Sequence, residues 1–289
     1  MQINDKALLV KLSIGMPGNG KKDKPITAEV TANHALASNA GRWNKTLYPA
    51  EAFAPIITIA GAARTFHYDN TLPWLDDGMR ILPTLNYQDY TTAMREFRSK
   101  FDSLAETHFL SRLSEWQDKA RLMHNGTYRP EDYKPAHKLA KKFKLLTGCQ
   151  PIPTSDDFRV KFSDGEMQLL RSDMNAQLNR AITNAESDLW RRLVDPLSHL
   201  SAKLADPDAK FKDSIVTNLD AICKLIPKLN LTADKRLADF AVQVETRLAG
   251  LIPDTLRKHP SDRNAARLVA DQILAKMSDY MPAQETEEL

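Results

Sequence analysis

The fold is decided by residues 164–204, DGEMQLLRSDMNAQLNRAITNAESDLWRRLVDPLSHLSAKL. Apolar side chains recur in this stretch with near-heptad spacing, at Leu170, Met174, Leu178, Ala181, Ala185, Leu189, Leu193, Leu197, Leu200 and Leu204. A stripe of this period predicts a long amphipathic helix, and Pro196 should bend or interrupt it because proline cannot donate to the helical ladder. The stripe favours packing within the chain, and an intermolecular coiled coil is the alternative.

Three more helices are predicted downstream of this stretch, over residues 210–225, 234–249 and 261–280, with proline-containing connections between them. The second half of the chain therefore reads as an all-helical bundle, and we predict a helical domain over residues 164–281. The polar end of the chain, PAQETEEL at residues 282–289, is predicted to be a disordered tail.

The first half of the chain mixes strand and helix signals. Short apolar runs bounded by turn residues predict strands at 7–14 and 79–82, and the alternating FRVKF at 158–162 predicts a strand paired with 144–148. Helical spacing predicts helices over 51–68 and over 87–124, the second broken once, whereas 26–37 fits either a strand or a helix after Pro25. The predicted class is α+β, mostly α: a small antiparallel sheet with long helices in an α+β domain of residues 1–163, followed by the helical domain.

Composition limits the class of protein further. The 289 residues contain 42% hydrophobic and 27% charged side chains at a mean hydropathy of −0.44, which excludes a membrane protein and a disordered chain. The amino terminus matches a signal peptide poorly. Cys149 and Cys223 are far apart and lack metal-binding spacing, so we expect neither a disulfide framework nor a zinc ribbon, and a reducing cytoplasm as the compartment.

Positive charge is concentrated in the first half of the chain. Residues 1–162 contain 23 lysines and arginines against 17 aspartates and glutamates, a net charge of +6. The remaining residues contain 17 against 20, a net charge of −3, and the whole chain carries +3. A basic excess of this size is compatible with contact to a polyanion and does not by itself establish it.

No pattern in the sequence specifies catalysis. The segment from Gly15 to Lys22, GMPGNGKK, follows a predicted strand and resembles a phosphate-binding loop, but Lys22 replaces the Ser or Thr that would hold magnesium, so a solvated hairpin turn is the better interpretation. The seven histidines are scattered without metal-ligand spacing. We therefore expect no cofactor, no metal site and no catalytic residues, and a binding protein rather than an enzyme.

The strongest surface feature is a basic segment around residues 131–143, predicted to be a short helix. Lys134, Lys138, Lys141 and Lys142 would fall on one face of it, and Leu139, Ala140 and Phe143 on another. The same pattern is typical of a solvated helix whose lysines bind nothing. A nucleic-acid surface needs phosphate-neutralising cations together with flat aromatic faces, which makes the candidate contact residues Lys134, Lys138, Lys141, Lys142, Lys144, Arg159, Lys161, Arg42 and Trp43.

The chain also resembles a family of uncharacterised proteins encoded by bacteriophages. The similarity covers about half the chain and lies in YRPEDY at 128–133 together with PIP at 151–153 and DFRV at 157–160, in LIPKLNLTAD at 225–234, and in Leu256-Arg257, Arg263 and 273–281. It implies a phage protein made in the cytoplasm of a host bacterium, and it assigns no functional residue.

Two hypotheses about function remain at this point. The first is a non-enzymatic phage protein that binds nucleic acid, single-stranded DNA above all, in phage DNA metabolism. The second is an oligomeric scaffold or adaptor that binds a phage or host protein and assembles with itself through the helical half. No membrane contact is expected, because no stretch approaches the roughly 20 apolar residues that span a bilayer.

Overall fold

A computed structural model describes residues 3–75, 77–153, 163–206, 209 and 212–280. The predicted class is confirmed, because helices dominate and the strands form a four-stranded and a two-stranded antiparallel sheet. The predicted pairing of 158–162 with 144–148 and the predicted tail at 282–289 lie outside the described residues. The described chain forms two compact units, a helical unit within residues 1–11, 68–90 and 149–289, and a basic unit of residues 12–67 and 91–148.

The six strands of the described chain are short. They are β1 (Ala7–Gly15), β2 (Gly20–Lys22), β3 (Asn44–Thr46), β4 (Leu72–Pro73), β5 (Arg80–Pro83) and β6 (Lys144–Pro151). The larger sheet has the order β4-β5-β1-β6, and β1 pairs antiparallel with β5 so that Leu8 faces Leu82. The smaller sheet is the antiparallel ribbon β2-β3, in which Lys22 faces Asn44. GMPGNG is therefore not a hairpin turn, because it joins β1 to a strand of the other sheet.

Ten α-helices follow one another along the described residues. They are α1 (Lys24–Asn33), α2 (Ala54–Asp69), α3 (Tyr87–Leu104), α4 (Leu113–His124), α5 (Ala136–Ala140), α6 (Asp164–Ala205), α7 (Ser214–Leu229), α8 (Lys235–Val244), α9 (Pro253–Lys258) and α10 (Pro260–Ser278). The break predicted in the helix over 87–124 is a π-helical segment, Ala105–Leu110, between α3 and α4. The ambiguous stretch 26–37 begins within α1, which starts with Pro25 in its first turn.

The helical unit is built around α6, which packs against α7 and α10. A capping box between Ser163 and Glu166 starts α6, and the helix continues through Pro196 without interruption. Its stripe enters the core from Ala181 onward, where Trp190 meets Phe240 edge-to-face at 5.9 Å between ring centroids. Packing within the chain thus accounts for the carboxy-terminal part of the stripe.

The basic unit has an aromatic core. Phe109, in the π-helical segment, stacks on Phe53 with 4.6 Å between ring centroids and meets Tyr48 edge-to-face at 5.2 Å. Phe143 closes this cluster at 5.4 Å from Phe109. Large rings stabilise a small unit because each removes much apolar surface from water.

The predicted domain boundary between residues 163 and 164 stays a prediction. The contact-defined units are not continuous stretches: residues 1–11 and 68–90 group with the helical half, and the chain passes between the units within β1, α2, α3 and β6. The boundaries between the contact-defined units therefore do not coincide with Asp164, where the sequence changes to a helical apolar stripe.

Candidate nucleic-acid interface

The predicted basic helix over 131–143 is wrong as a single helix. The chain instead forms a 3-10 turn at Pro130–Asp132, the five-residue helix α5, and then β6 from Lys144. The reason is Pro135, which disfavours the helical conformation of Lys134 before it and supplies the N-cap of α5. Lys134 consequently precedes the helix and Lys141 and Lys142 follow it, so the four lysines do not share one helical face.

Apolar side chains fix this segment to the basic unit. Leu139 and Leu145 are buried, and Phe143 is half-buried between Phe109 and Phe101, whose ring centroids lie 5.4 and 6.2 Å from its own. Gly15 of β1 also approaches closely: a methyl group on its Cα would lie 3.0 Å from the Lys142 carbonyl oxygen. The second half of the segment is thus anchored by Leu139, Phe143 and Leu145, which alternate with its exposed lysines.

The lysines themselves remain in solvent. We call residues 134–144 the lysine segment; its five cations are all exposed, and none forms an ion pair with any residue that the structure describes. The cations are Lys134, Lys138, Lys141, Lys142 and Lys144. Five cations within eleven residues, without internal neutralisation, form a strong local positive potential. Arg159 and Lys161, predicted to extend this surface, lie outside the described residues.

Arg42 and Trp43 come immediately before β3. Both are exposed, and 52% of the Trp43 surface is accessible to solvent. The backbone at Trp43 is nevertheless fixed, because its N–H donates to Thr27 Oγ1 at 3.0 Å and its carbonyl accepts from the Asp23 N–H at 3.0 Å. The indole is therefore an exposed ring on an ordered backbone, as the prediction of an accessible aromatic face requires.

A buried cluster of charges connects the β2-β3 ribbon to the lysine segment. The Lys45 ammonium contacts a carboxylate oxygen of Asp132 and lies 3.4 Å from Asp23 Oδ2, and Lys21 contacts the other oxygen of Asp132. Asp23, Lys45 and Asp132 are buried, and Lys45 Nζ also donates to the Thr127 carbonyl at 3.2 Å. Because Asp132 is two residues before Lys134, this cluster fixes the ribbon next to the lysine segment.

Both carboxylates of this cluster are held in the ionised form. The hydrogen bond from the Ile26 N–H lowers the pKa of Asp23, and the charges of Arg129 and Lys45 act in the same direction. Burial would raise the pKa of Asp132, but hydrogen bonds from Lys21 and Lys45 outweigh burial and lower it. At neutral pH the cluster is a set of full charges, whose role in this geometry is to fix backbone segments relative to one another.

The basic unit carries most of the positive charge of the chain. Its residues contain 18 lysines and arginines against 10 aspartates and glutamates, a net charge of +8, whereas the rest of the chain contains 22 against 27, a net charge of −5. The asymmetry predicted from a division at Phe162 is thus larger when the chain is divided by its contacts.

Other chemistry is sparse in the part of the chain that the structure describes. No group of three or more His, Cys, Asp or Glu side chains there is arranged to hold a metal ion. Among the same residues, no helix combines the length and the apolar character needed to cross a bilayer. Cys149 is exposed, and burial raises the pKa of the Cys223 thiol to about 12.

The sequence did not identify the buried charge cluster. Lys45 pairs with Asp132, which is 87 positions away in the chain. Its only local signal is position: Lys45 alternates in β3 between exposed Asn44 and Thr46. Strand alternation predicts that every second side chain points inward, but it does not identify the carboxylate with which a buried lysine pairs.

Comparison with known proteins gives no match, either to a protein-family model, to a curated protein or to a solved structure. The class that the fold and site define is a mostly α protein whose smaller, basic unit exposes an ordered lysine segment and a tryptophan.

Proposed function

We propose that this protein binds nucleic acid, in particular single-stranded DNA, through the lysine segment of its basic unit. The observation that carries the proposal is the set of five exposed lysines, unpaired among the described residues, on a backbone that Leu139, Phe143 and Leu145 hold in place. When lysines neutralise the phosphates of a nucleic acid, the cations condensed on those phosphates are released. This release is the main sequence-independent source of affinity for nucleic acid.

The biological setting belongs to the same proposal. The resemblance of the sequence to phage-encoded proteins supports a role in phage DNA metabolism within the cytoplasm of a host bacterium. The absence of a metal cluster among the described residues is compatible with binding and says nothing further about catalysis. Arg159 and Lys161 remain candidate contacts on sequence grounds alone.

A pair of triple variants tests the proposal. Lys138→Glu/Lys141→Glu/Lys142→Glu should weaken binding to a fluorescein-labelled oligothymidylate of 20 nucleotides by at least about 100-fold in fluorescence anisotropy, because three phosphate contacts become repulsions. Lys235→Glu/Lys258→Glu/Lys276→Glu changes the same number of exposed lysines, all in the helical unit, and takes the net charge to the same value of −3. This control should change affinity less than about threefold.

Two results would contradict the proposal. The first is that wild-type protein binds neither DNA nor RNA, or binds with an affinity that does not change with salt. The second is that both triple variants weaken binding equally, which would assign affinity to net charge rather than to the lysine segment. Circular dichroism of each variant establishes that it remains folded.

The scaffold or adaptor hypothesis has an observation of its own. Within the described residues, α6 has no buried residue before Ala181, and the first part of its apolar stripe, at Met167, Leu170, Met174 and Leu178, is only half-buried. A helix segment with so little burial is marginal in water and would gain stability from a partner. Light scattering separates the two functions: a stable oligomer without nucleic acid supports the scaffold, and a monomer that assembles only on DNA supports binding to DNA.

A further inference from the structure

The connection between β2 and β3 is ordered, but almost none of its side chains are buried. We call residues 23–43 the arm; it contains α1, in which no residue is buried, and a following stretch of exposed residues. Three large apolar side chains of the arm are exposed, at 38% for Val30, 46% for Leu36 and 52% for Trp43. A short helix without burial contributes little to the stability of the fold, so the arm is better explained by contact with another molecule.

A groove runs along the exposed side of α1. It has a volume of about 590 Å³ and is lined mainly by small residues and hydroxyl-bearing side chains, with two lysines at one end. The lining includes Lys22, Lys24, Thr27, Thr31, Leu36 and Ser38. The hydroxyls of Thr27 and Thr31 donate to the carbonyls of Asp23 and Thr27, at 2.5 and 2.7 Å, so the helix presents a narrow surface without long side chains.

Trp43 lies beside the basic end of this groove. Its carbonyl accepts from the Asp23 N–H at 3.0 Å, and Asp23 stands between Lys22 and Lys24 in the chain. The Thr27 hydroxyl that accepts from the Trp43 N–H also lines the groove. The backbone of Trp43 is thus fixed to Asp23 and Thr27, and the exposed cations Lys22, Lys24 and Arg42 are each next to Asp23 or Trp43 in the chain.

The charge of the arm selects an anionic occupant. Lys22, Lys24 and Arg42 are exposed, whereas the carboxylate of Asp23 is buried with Lys45 within 3.4 Å. Glu29 is the remaining carboxylate between residues 22 and 44. A surface that combines three cations, one exposed aromatic face and a narrow groove is complementary to a phosphate backbone with an unpaired base.

The arm and the lysine segment are connected through the buried charge cluster. Asp132 binds Lys21 of β2 and Lys45 of β3 at once, and Lys134 follows Asp132 by two residues. The arm begins and ends at these two strands, since Lys22 pairs with Asn44. Both ends of the arm are therefore next to strands that Asp132 ties to the start of the lysine segment.

We infer that the arm is a second contact for the nucleic acid of the proposed function, on which this inference rests, and that it restricts the ligand to a single strand. One base stacks on the indole of Trp43, and the flanking phosphates lie against Lys22, Lys24 and Arg42 at the groove. The interior of a duplex cannot do this without unpairing, because stacking on a side chain needs a base face that neighbouring pairs do not already cover.

Trp43 provides its own spectroscopic signal. Trp116 and Trp190 are 2% and 3% exposed, and Trp74 is half-buried, so Trp43 is the most exposed tryptophan of the chain. Titration of the protein with a 20-nucleotide oligothymidylate should quench the part of the emission that Trp43→Phe removes. The affinity, from the anisotropy of the labelled oligonucleotide, should fall about 5- to 150-fold in Trp43→Ala, the range found when a stacked aromatic is removed, and should be largely retained in Trp43→Phe.

Two further variants separate the arm from general charge. Lys22→Glu/Lys24→Glu should weaken binding of the 20-nucleotide strand by at least about tenfold, whereas Lys235→Glu/Lys258→Glu, with the same change in charge outside the basic unit, should not. Wild-type protein and Trp43→Ala should differ much less in their affinity for a blunt 20-base-pair duplex than for the strand, because only the two terminal base pairs expose a face. If Trp43→Ala unfolds, the quenching of the emission that Trp43→Phe removes and the Lys22→Glu/Lys24→Glu variant still decide the question.

The outcomes distinguish this inference from the proposed function. If the strand binds with a salt-dependent affinity but Trp43 emission and the Trp43 and Lys22/Lys24 variants show no change, the arm is not a contact, and binding by the lysine segment stands. If Trp43→Ala weakens duplex binding as much as strand binding, the restriction to a single strand is wrong. If labelled strand and duplex both fail to bind, the proposed function and the inference fall together.

Discussion

At the scale of single residues, Lys45 shows how a cation in a basic sequence serves structure rather than binding. Lys45 belongs to the basic unit, yet its ammonium group is buried between Asp23 and Asp132. A buried pair of this kind is costly to break, since removal of one partner leaves the other charged and desolvated.

Replacement of Lys45 by methionine is therefore expected to destabilise the protein. The change leaves the buried carboxylates of Asp23 and Asp132 without their shared cation, and because Lys21 still binds Asp132 we expect about 3 kcal/mol, the lower end for broken buried pairs. Chemical denaturation followed by circular dichroism measures the change. The control is Lys119→Met, which removes an exposed pair with Glu51 at 2.6 Å and should change the free energy of unfolding little. Equal effects of the two variants would show that the cluster does not hold the ribbon.

At the scale of elements, the approach of β1 to the lysine segment is tight at Gly15. A Cβ at this position would lie 2.8 Å from Lys144 Cε and 3.0 Å from the Lys142 carbonyl oxygen. The side chain of Lys144 can move aside, but the backbone oxygen can move only if the strand end moves.

Gly15→Ala should consequently destabilise the protein by about 1 to 3 kcal/mol, as overpacking does in a well-packed region. It should also weaken binding to oligothymidylate, because the backbone that carries Lys142 and Lys144 is displaced. Gly20→Ala is the control, since a methyl group there meets no atom within 4 Å. Thermal unfolding and anisotropy are the measurements, and an unchanged melting temperature for Gly15→Ala would show that β1 does not support the segment.

The elements that the sequence predicts correctly are those whose signal is local. The apolar run ALLVKLSI, bounded by Gly15, predicted β1, and the stripe up to Leu204 predicted α6 although Pro196 lies inside it. The prediction of one basic helix is wrong because Pro135, which sets where α5 begins, overrides the helical spacing of the lysines and leucine. Helical propensity is a weak prior, and a proline overrides it.

The candidate site likewise has features with a local sequence signal and features that depend on long-range contacts. The sequence proposed Trp43 and the five lysines as contact residues, and the structure leaves all six exposed, which such contacts require but do not establish. The link through Asp132 could not be predicted, because it depends on contacts between Lys21, Lys45 and Asp132, which the fold brings together from three separate segments. The groove along α1 was missed for a related reason: the sequence left open whether residues 26–37 form a helix at all.

At the scale of the whole molecule, the net charge of +3 conceals two units of opposite sign. The basic unit carries +8 and the remainder −5, so a polyanion should be attracted to one part of the chain and repelled by the other. Affinity should then depend on which lysines are replaced rather than on how many, and its dependence on salt should report the number of phosphates engaged.

The salt dependence of binding makes this count measurable. Each phosphate that a single strand gives up to a cation contributes about 0.7 to the slope of log Kd against log salt concentration, so the five cations of the lysine segment predict a slope of about 3.5. If Lys22, Lys24 and Arg42 of the arm contribute as well, the slope rises to about 5.6. Anisotropy titrations of a 20-nucleotide oligothymidylate between about 50 and 300 mM KCl, a range over which such affinities change strongly, measure it.

Glutamine variants then assign the slope to residues. Lys138→Gln/Lys141→Gln/Lys142→Gln should lower it by about 2, because three of the contacts lose their charge. Lys235→Gln/Lys258→Gln/Lys276→Gln should leave it unchanged, since these lysines belong to the acidic remainder of the chain. A wild-type slope below about 1 would mean that fewer than two phosphates are engaged, and five exposed lysines on one short segment would then need another explanation.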